Sequence, residues 1–366
     1  MQFKAFREQS EVRFTSPLTV FVGPSGSGKT TILQCLHFLT QLTVAEFPDT
    51  QFKLSDVSDY LSIGDRKEKC QLSLAGNRLS RPEYSISISE SNSDKIIGAL
   101  SIDIDGRAHA WRHVCEFQDG DWHGKWEGNR FMIEDAPNFD SSAFIRFSAA
   151  KLKEPCVPST PYPRVDRNGF GLASALKMIH DKHIDRFEAI VDSFRQIMPG
   201  VKRVDFEKLR VDLFITPIFG DSLVIEYERI GRIPAAHVSS GTMYTLGLLA
   251  SILNPSAPSV ILLDDIDRGL HPKAQMELIG LFRRILDNQA DLQLIATSHS
   301  PYILDKLEWP EVRVTTSRSD GTAVCAPLED HPRYPQWASE MSPGEFWSHV
   351  GEDWITERKP ASTVGS

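Results

Sequence analysis

The residues best suited to chemistry stand near the start of the chain. Gly23-Pro24-Ser25-Gly26-Ser27-Gly28-Lys29-Thr30 fits the spacing G-x-x-x-x-G-K-[ST], the pattern of a phosphate-binding loop. Its glycines let the backbone turn tightly enough for successive N–H groups to face an anion. The N-terminus of a following helix adds its dipole to the same task. In that setting Lys29 reaches the β- and γ-phosphates and the Thr30 hydroxyl is a ligand for Mg2+, with Thr31 opening the helix behind them. Both flanks agree. Leu18-Thr19-Val20-Phe21-Val22 is a short apolar, β-branched run, and Thr31-Ile32-Leu33-Gln34-Cys35-Leu36 reads as the first turns of a helix. The pattern predicts a nucleoside triphosphate as ligand.

Three later stretches could complete such a site. Val260-Ile261-Leu262-Leu263-Asp264-Asp265 is an all-apolar run ending in two carboxylates. It suits the centre of a parallel sheet covered on both faces, whose carboxyl end is where ligands sit. Asp264 would then hold Mg2+ opposite Thr30, and Asp265 would orient or deprotonate the attacking water. Two acids at a strand end also occur in ordinary surface turns; the phosphate loop tips the balance toward catalysis. Leu292-Gln293-Leu294-Ile295-Ala296-Thr297 is a second buried strand, followed by Ser298-His299-Ser300-Pro301. His299 reads either as a γ-phosphate contact or as a surface histidine. Val238-Ser239-Ser240-Gly241-Thr242 precedes an apolar helix from Tyr244 to Leu253. A hydroxyl cap and free amides there form a second anion site or an ordinary N-cap.

The rest of the chain must position these groups. Phe3-Lys4-Ala5-Phe6 and Glu11-Val12-Arg13-Phe14 read as short strands, and a helix runs from Lys29 to about Leu42. Residues 48 to 83 are polar and carry no clear period. Tyr84 to Ser89 and Leu100 to Asp105 alternate with period two and predict half-exposed strands of an antiparallel layer. Trp111, Trp122 and Trp126 either cover that small sheet or form a base-stacking platform. Phe144-Ile145-Arg146-Phe147 predicts a strand, Pro155 to Pro163 a loop, and Leu172 to His180 and Ile184 to Met198 two helices ended by Pro199-Gly200. Val211 to Ile215 and Ser222 to Tyr227 predict a hairpin turning at Phe219-Gly220-Asp221. Met341 to Trp354 is aromatic and amphipathic, fit to close the core or to dock a partner. Thr356 to Ser366 is polar, with the last residues expected to be flexible.

Composition narrows the function classes. Hydrophobic residues make up 41% and charged residues 24%, ordinary for a globular protein. No apolar run approaches the ~20 residues of a membrane span, and the N-terminus has no signal-peptide core. Five cysteines without a C-x-x-C pair point to reduced thiols and a cytoplasmic setting. The net charge of −9 lowers the expectation that the chain coats DNA by itself.

Phosphate loop, Ser-Ser-Gly-Thr, apolar strand with Asp-Asp, strand with histidine: in this order the chain resembles the ATP-binding-cassette ATPases. It is most similar to their soluble branch with the SMC, RecF and OLD-type proteins. Leu263-Asp264-Asp265-Ile266-Asp267-Arg268-Gly269-Leu270-His271-Pro272 is similar to that family's LDEPExGLHP stretch, and Thr297-Ser298-His299-Ser300-Pro301 to its switch-histidine motif. Text between Gly171 and Val204 is also similar to this branch.

The resemblance implies an α/β ABC-type P-loop ATPase head. Its central, mostly parallel sheet would be flanked by helices, with an antiparallel β layer and a helical lobe. Residues 1–330 would form the head, the lobe lying at about 150–250, and 331–366 a C-terminal extension. ATP and Mg2+ are the implied ligands. Ser239, Ser240 and Gly241 become the signature motif, capping the ATP of a second copy in a homodimer.

Too few residues follow His299 for the Toprim nuclease domain of OLD-type proteins. The resemblance therefore implies a stand-alone ATPase that controls a separately encoded effector, of the Toprim nuclease kind, in prokaryotic antiviral defence. The alternative is a RecF-like repair or replication clamp on DNA. Two departures stand out. Asp265 occupies the usual glutamate position, which predicts slow turnover that Asp265→Glu speeds up. No glutamine loop is evident.

Overall fold

The computed structural model describes Phe6, Val12 and residues 14–44, 70–75, 83–92, 95–104, 107–118, 121–127, 142–158, 160–211 and 218–356. In chain order, β1 (Leu18–Val22) leads through the phosphate loop into α1 (Lys29–Val44). A set of strands follows: β2 (Cys70–Ala75), β3 (Glu83–Asn92), β4 (Lys95–Ile104), β5 (Arg107–Gln118) and β6 (Asp121–Glu127). Next come β7 (Ser142–Ile145), α2 (Ala149–Lys153), α3 (Leu172–Lys182), α4 (Ile184–Ile197), β8 (Val201–Val211), β9 (Ile218–Tyr227), β10 (Gly231–Pro234) and α5 (Ser240–Ile252). The remainder alternates β11 (Val260–Leu263), α6 (Pro272–Asn288), β12 (Gln293–Thr297) and α7 (Pro301–Leu304). It ends in β13 (Val312–Ser317), β14 (Ala323–Pro327), α8 (Tyr334–Trp337) and α9 (Pro343–Val350).

The apolar runs read from the sequence meet in one six-stranded sheet, ordered β14-β13-β1-β12-β11-β7. All its pairings are parallel except β13 with β14. Successive side chains of a strand face opposite sides, and both sides are dry here. Leu18, Val20, Val22, Ile261, Leu263, Leu294 and Ala296 join the larger core. Phe21, Leu262 and Ile295 point the other way and pack with Ile32 and Leu33 of α1. A sheet covered on both faces needs no polar alternation, which is why these strands read as unbroken apolar text. The helix α5 lies inside the larger core with Leu246, Leu248 and Leu249 fully buried. Burying each such leucine is worth roughly 2 kcal/mol.

Two antiparallel sheets accompany the parallel one. The five-stranded sheet runs β2-β3-β4-β5-β6 and contains both alternating segments, with Ile86 opposite Leu100. The strand β2 lies in the stretch where no period is visible. The tryptophan alternatives rest on side chains outside the described residues, as do most of the two N-terminal strand expectations and the last ten residues. The three-stranded sheet, β10-β9-β8, corrects the predicted hairpin. Its first strand is Val201–Val211, the expected stretch beyond Val211 lies outside the described residues, and Phe219, Gly220 and Asp221 lie within the second strand, opposite Arg210, Leu209 and Lys208. A register shift between Val201 and Arg203 interrupts the alternation at the start of β8, and the apolar spacing breaks again between Phe206 and Leu209. The backbone of Cys156 pairs with that of Asp221, so the Gly-Asp pair serves strand pairing and not a turn.

The aromatic C-terminal segment packs inward. Ser342 and Glu345 close a capping box at the start of α9, and the Ser342 hydroxyl donates to Asp305 at 2.6 Å. Phe346 is fully buried, edge-on to Trp309 and His331. Among the described residues Cys35, Cys156 and Cys325 are free thiols, and no helix is long and apolar enough to cross a membrane.

Candidate functional site

Because β1, β7, β11, β12 and β13 run parallel, their carboxyl ends share one edge, where doubly wound sheets bind ligands. That edge carries Gly23, Arg146, Asp264 and Ser298. The phosphate loop is anchored to its neighbour strand. The Thr315 hydroxyl donates to the Val22 carbonyl at 3.0 Å and shares a 2.7 Å hydrogen bond with the Ser27 hydroxyl. Gly23 stands so close to the Thr315 backbone that a Cβ would collide with its carbonyl, and its φ is +144°. Only glycine fits there. Lys29 is buried, and its ammonium donates to the carbonyls of Gly23 at 2.8 Å and Pro24 at 2.7 Å. Burial holds the Lys29 pKa below the usual lysine range, against the opposing pull of Asp265, Asp264, Asp267 and Glu352. Glu352 comes from the C-terminal segment, whose effect on the site the sequence does not signal.

Asp264 joins the motifs. It is buried, and its carboxylate accepts from the Thr30 hydroxyl at 2.9 Å and from the Thr297 hydroxyl at 2.9 Å. The first hydroxyl belongs to α1 and the second to the end of β12. The Asp264 N–H donates to the Ile145 carbonyl of β7 at 2.9 Å, so three elements converge on one acid. Asp265 follows with φ +58°, a left-handed conformation that aspartate tolerates better than most residues. Its N–H donates to the Thr297 hydroxyl at 2.8 Å. Burial first, and then the charge of Asp264, push the Asp265 carboxyl above the usual aspartate range. His299 Nε2 lies 3.9 Å from Asp265 Oδ1. The His299 backbone N–H and the Ser298 hydroxyl both donate to Asp267 Oδ1, at 3.1 and 2.7 Å. That third acid fixes the histidine turn.

The signature segment is tied to the acids from behind. Ser239 caps α5, accepting from the Thr242 N–H at 3.2 Å, and Ser239 and Ser240 are both exposed. Gly241 is buried against Gly269, where a Cβ would strike the Gly269 carbonyl. One turn further, the Tyr244 hydroxyl donates to the backbone carbonyls of Asp264 at 3.1 Å and Asp265 at 2.9 Å. Burial keeps Tyr244 protonated by raising its pKa, so the donor persists at all working pH values.

The predicted residues therefore fall into two groups. Gly23 to Thr31, Asp264, Asp265 and His299 gather at the sheet edge, while Ser239 and Ser240 stand at an exposed helix tip. Sequence reasoning missed Tyr244, Thr297, Asp267 and Arg146. Asp267 and Thr297 stand inside the quoted motifs. Tyr244 has no signal beyond being a tyrosine in an apolar helix, and Arg146 lies in a run readable only as a strand.

The donor set suits a hard cation. A hydroxyl and a carboxylate offer oxygen ligands only, and Mg2+ is held by one or two such groups together with substrate phosphates. Among the described residues no group of three or more His, Cys, Asp or Glu is arranged to hold a metal without that help.

Among solved structures, an SmcHead bound to the C-winged helix domain of ScpA is 16% identical with a TM-score of 0.48, covering 89% of this chain and 95% of that one. The Smc head domain with an extended coiled coil bound to the C-terminal domain of ScpA, from Pyrococcus furiosus, is 13% identical with a TM-score of 0.47, covering 92% and 97%. The SMC head domain from Thermotoga maritima is 15% identical with a TM-score of 0.39, covering 89% and 96%. Residues 18–305 match the family described as "AAA domain, putative AbiEii toxin, Type IV TA system", and the chain belongs to that P-loop ATPase family.

Proposed function

We propose that this chain binds and hydrolyses ATP, dimerises around it, and acts as a nucleotide-dependent sensor that regulates a separately encoded effector in prokaryotic antiviral defence. The observation that carries the ATPase part is the Asp264 carboxylate, which accepts from Thr30 beside the phosphate loop and from Thr297 beside the histidine turn. Three sequence-distant pieces thereby meet at one edge. The family description names an AbiEii toxin and a Type IV TA system, which supports action within a system of proteins. A Toprim-type nuclease is the effector the reading favours.

In this reading Gly23, Pro24, Ser25, Gly26, Ser27, Gly28 and Thr31 cradle the triphosphate with backbone N–H groups, and Lys29 neutralises its β- and γ-oxygens. Thr30 and Asp264 hold Mg2+, which when bound offsets phosphate charge. Asp265 takes the proton of the water whose oxygen attacks the γ-phosphorus as the bond to the bridging oxygen breaks. His299 contacts the γ-phosphate and positions that water. Ser239, Ser240 and Gly241 of a second copy close the site, so ATP acts as a glue that hydrolysis removes.

The test is a tagged pull-down from the native host comparing Asp265→Asn, intended to trap the ATP state, with Lys29→Ala, intended to prevent it. A small nuclease enriched with one variant is the expected result. DNA together with repair or replication proteins would instead support the clamp reading, and the net charge of −9 weighs against that outcome.

A further inference from the structure

The first residue beyond β7 is Arg146, and it leaves the sheet at the edge that carries the phosphate loop. Its Nε lies 3.3 Å from Asp264 Oδ2. The pair is lopsided: the Asp264 side chain is fully enclosed, whereas that of Arg146 is 52% exposed. Asp264 is fixed by two hydroxyls and by its own N–H on Ile145. The backbone of Arg146 is held too, its N–H donating to the Arg167 carbonyl at 2.9 Å. Its side chain, by contrast, is about half exposed, one residue beyond the terminal strand of the sheet. One partner is enclosed and the other faces solvent.

A carboxylate oxygen paired with a guanidinium cannot also bind a divalent cation without setting two positive charges a few ångströms apart. The exposed partner must then leave. The anion it meets at that edge is the phosphate chain held by Lys29, and the planar guanidinium fork suits phosphate oxygens. We propose that Arg146 is an exchanging cation: it neutralises the buried Asp264, yields that place to Mg2+, and turns its guanidinium to the terminal phosphate of the bound triphosphate. This rests on the ATP reading above. Arg146 then distinguishes ATP from ADP, because the diphosphate lacks the group it turns to. It also makes Mg2+ compete for Asp264, so that metal and triphosphate are taken up together. The guanidinium is also felt at Asp265, where it is one of the charges that favour the ionised carboxylate.

The test is isothermal titration of the full chain with ADP and with a slowly hydrolysed ATP analogue, across a series of Mg2+ concentrations. In Arg146→Ala the preference for the triphosphate should fall about tenfold, the size of one charge-assisted hydrogen bond. ADP affinity should stay within about twofold, and half-maximal binding should need less Mg2+. Arg146→Gln should behave like the alanine variant and Arg146→Lys should keep most of the preference. An unchanged triphosphate preference and Mg2+ dependence in Arg146→Ala would overturn the proposal. If that variant fails to fold by circular dichroism, identical titrations of Arg146→Gln and Arg146→Lys would overturn it equally. A wild-type chain that binds neither nucleotide sinks the ATP reading and this one with it. Wild-type binding that is lost in Lys29→Ala but unaltered in every Arg146 variant sinks this one alone.

Discussion

Two glycine-containing motifs of this chain, the phosphate loop and the tip of α5, are built in opposite ways. At the phosphate loop the functional side chains are buried and satisfied from within the chain: Lys29 on two loop carbonyls, Asp264 on hydroxyls from two other elements. At the tip of α5, Ser239 caps its own helix and Ser240 faces solvent, while Gly241 is wedged against Gly269. One motif is completed by tertiary contacts inside the chain. The other is held firmly from behind and left open in front, the arrangement expected of a group that meets a second molecule. Tyr244 links the two, since it sits on α5 and donates to both acid carbonyls.

The largest effect tests the closed side. Lys29→Ala should weaken ATP binding at least about a hundredfold, since it removes a buried charge from the phosphates, and calorimetry with the intact chain would show it. Binding that survives intact would remove the phosphate-loop reading. Next, Ser240→Arg places a long cation on the open side. Turnover should drop to the background of the assay while ATP affinity stays within about twofold; continued hydrolysis would mean that the tip does not complete a second copy's site.

Tyr244→Phe cuts the link with little change of volume. One hydroxyl proton shared between two carbonyls is lost, worth about 0.5–1.5 kcal/mol in all, so the midpoint of thermal unfolding should fall. Turnover should fall further than ATP affinity does, because the acids lose their backbone support. Equal losses in both would make Tyr244 a packing residue only.

Asp265 gives the finest test. The carboxyl is held above the usual aspartate range, first by burial, so the folded state accommodates its ionised form less well than the unfolded state does. The sign follows: stability is highest while Asp265 is protonated and is lost as pH rises through the unfolded and then the folded pKa. At neutral pH Asp265→Asn should therefore raise the melting temperature by roughly 1–3 °C while abolishing turnover, and asparagine also suits the left-handed backbone. For the wild type, the acidic limb of the turnover profile should lie above the ordinary aspartate range. Asp265→Glu divides two expectations. The longer side chain should speed hydrolysis, but glutamate is less at ease at φ +58° and should lower stability by about 1 kcal/mol. A variant that is both slower and less stable would show that the backbone, not side-chain reach, selects aspartate here.

The sequence alone determined the phosphate loop, the two apolar strands with their terminal acids and histidine, and the central sheet they imply. These features are local. A loop that must wrap phosphates needs glycines at fixed spacing, and a strand buried on both faces must be apolar throughout. It did not determine the true partner of β9, because the apolar spacing of β8 is broken twice, at a register shift near Val201 and again between Phe206 and Leu209. Nor did it point to Tyr244, Asp267, Thr297 or Arg146 as parts of the site. Each acts on residues at least 30 positions away or across a strand pairing, except for Tyr244, which reaches the acids some 20 positions on through its hydroxyl. Hydrogen bonds of that kind have no period and no spacing rule. Only the parallel order β1-β12-β11-β7, which brings the carboxyl ends of the strands to one edge, decided which side chains share the site.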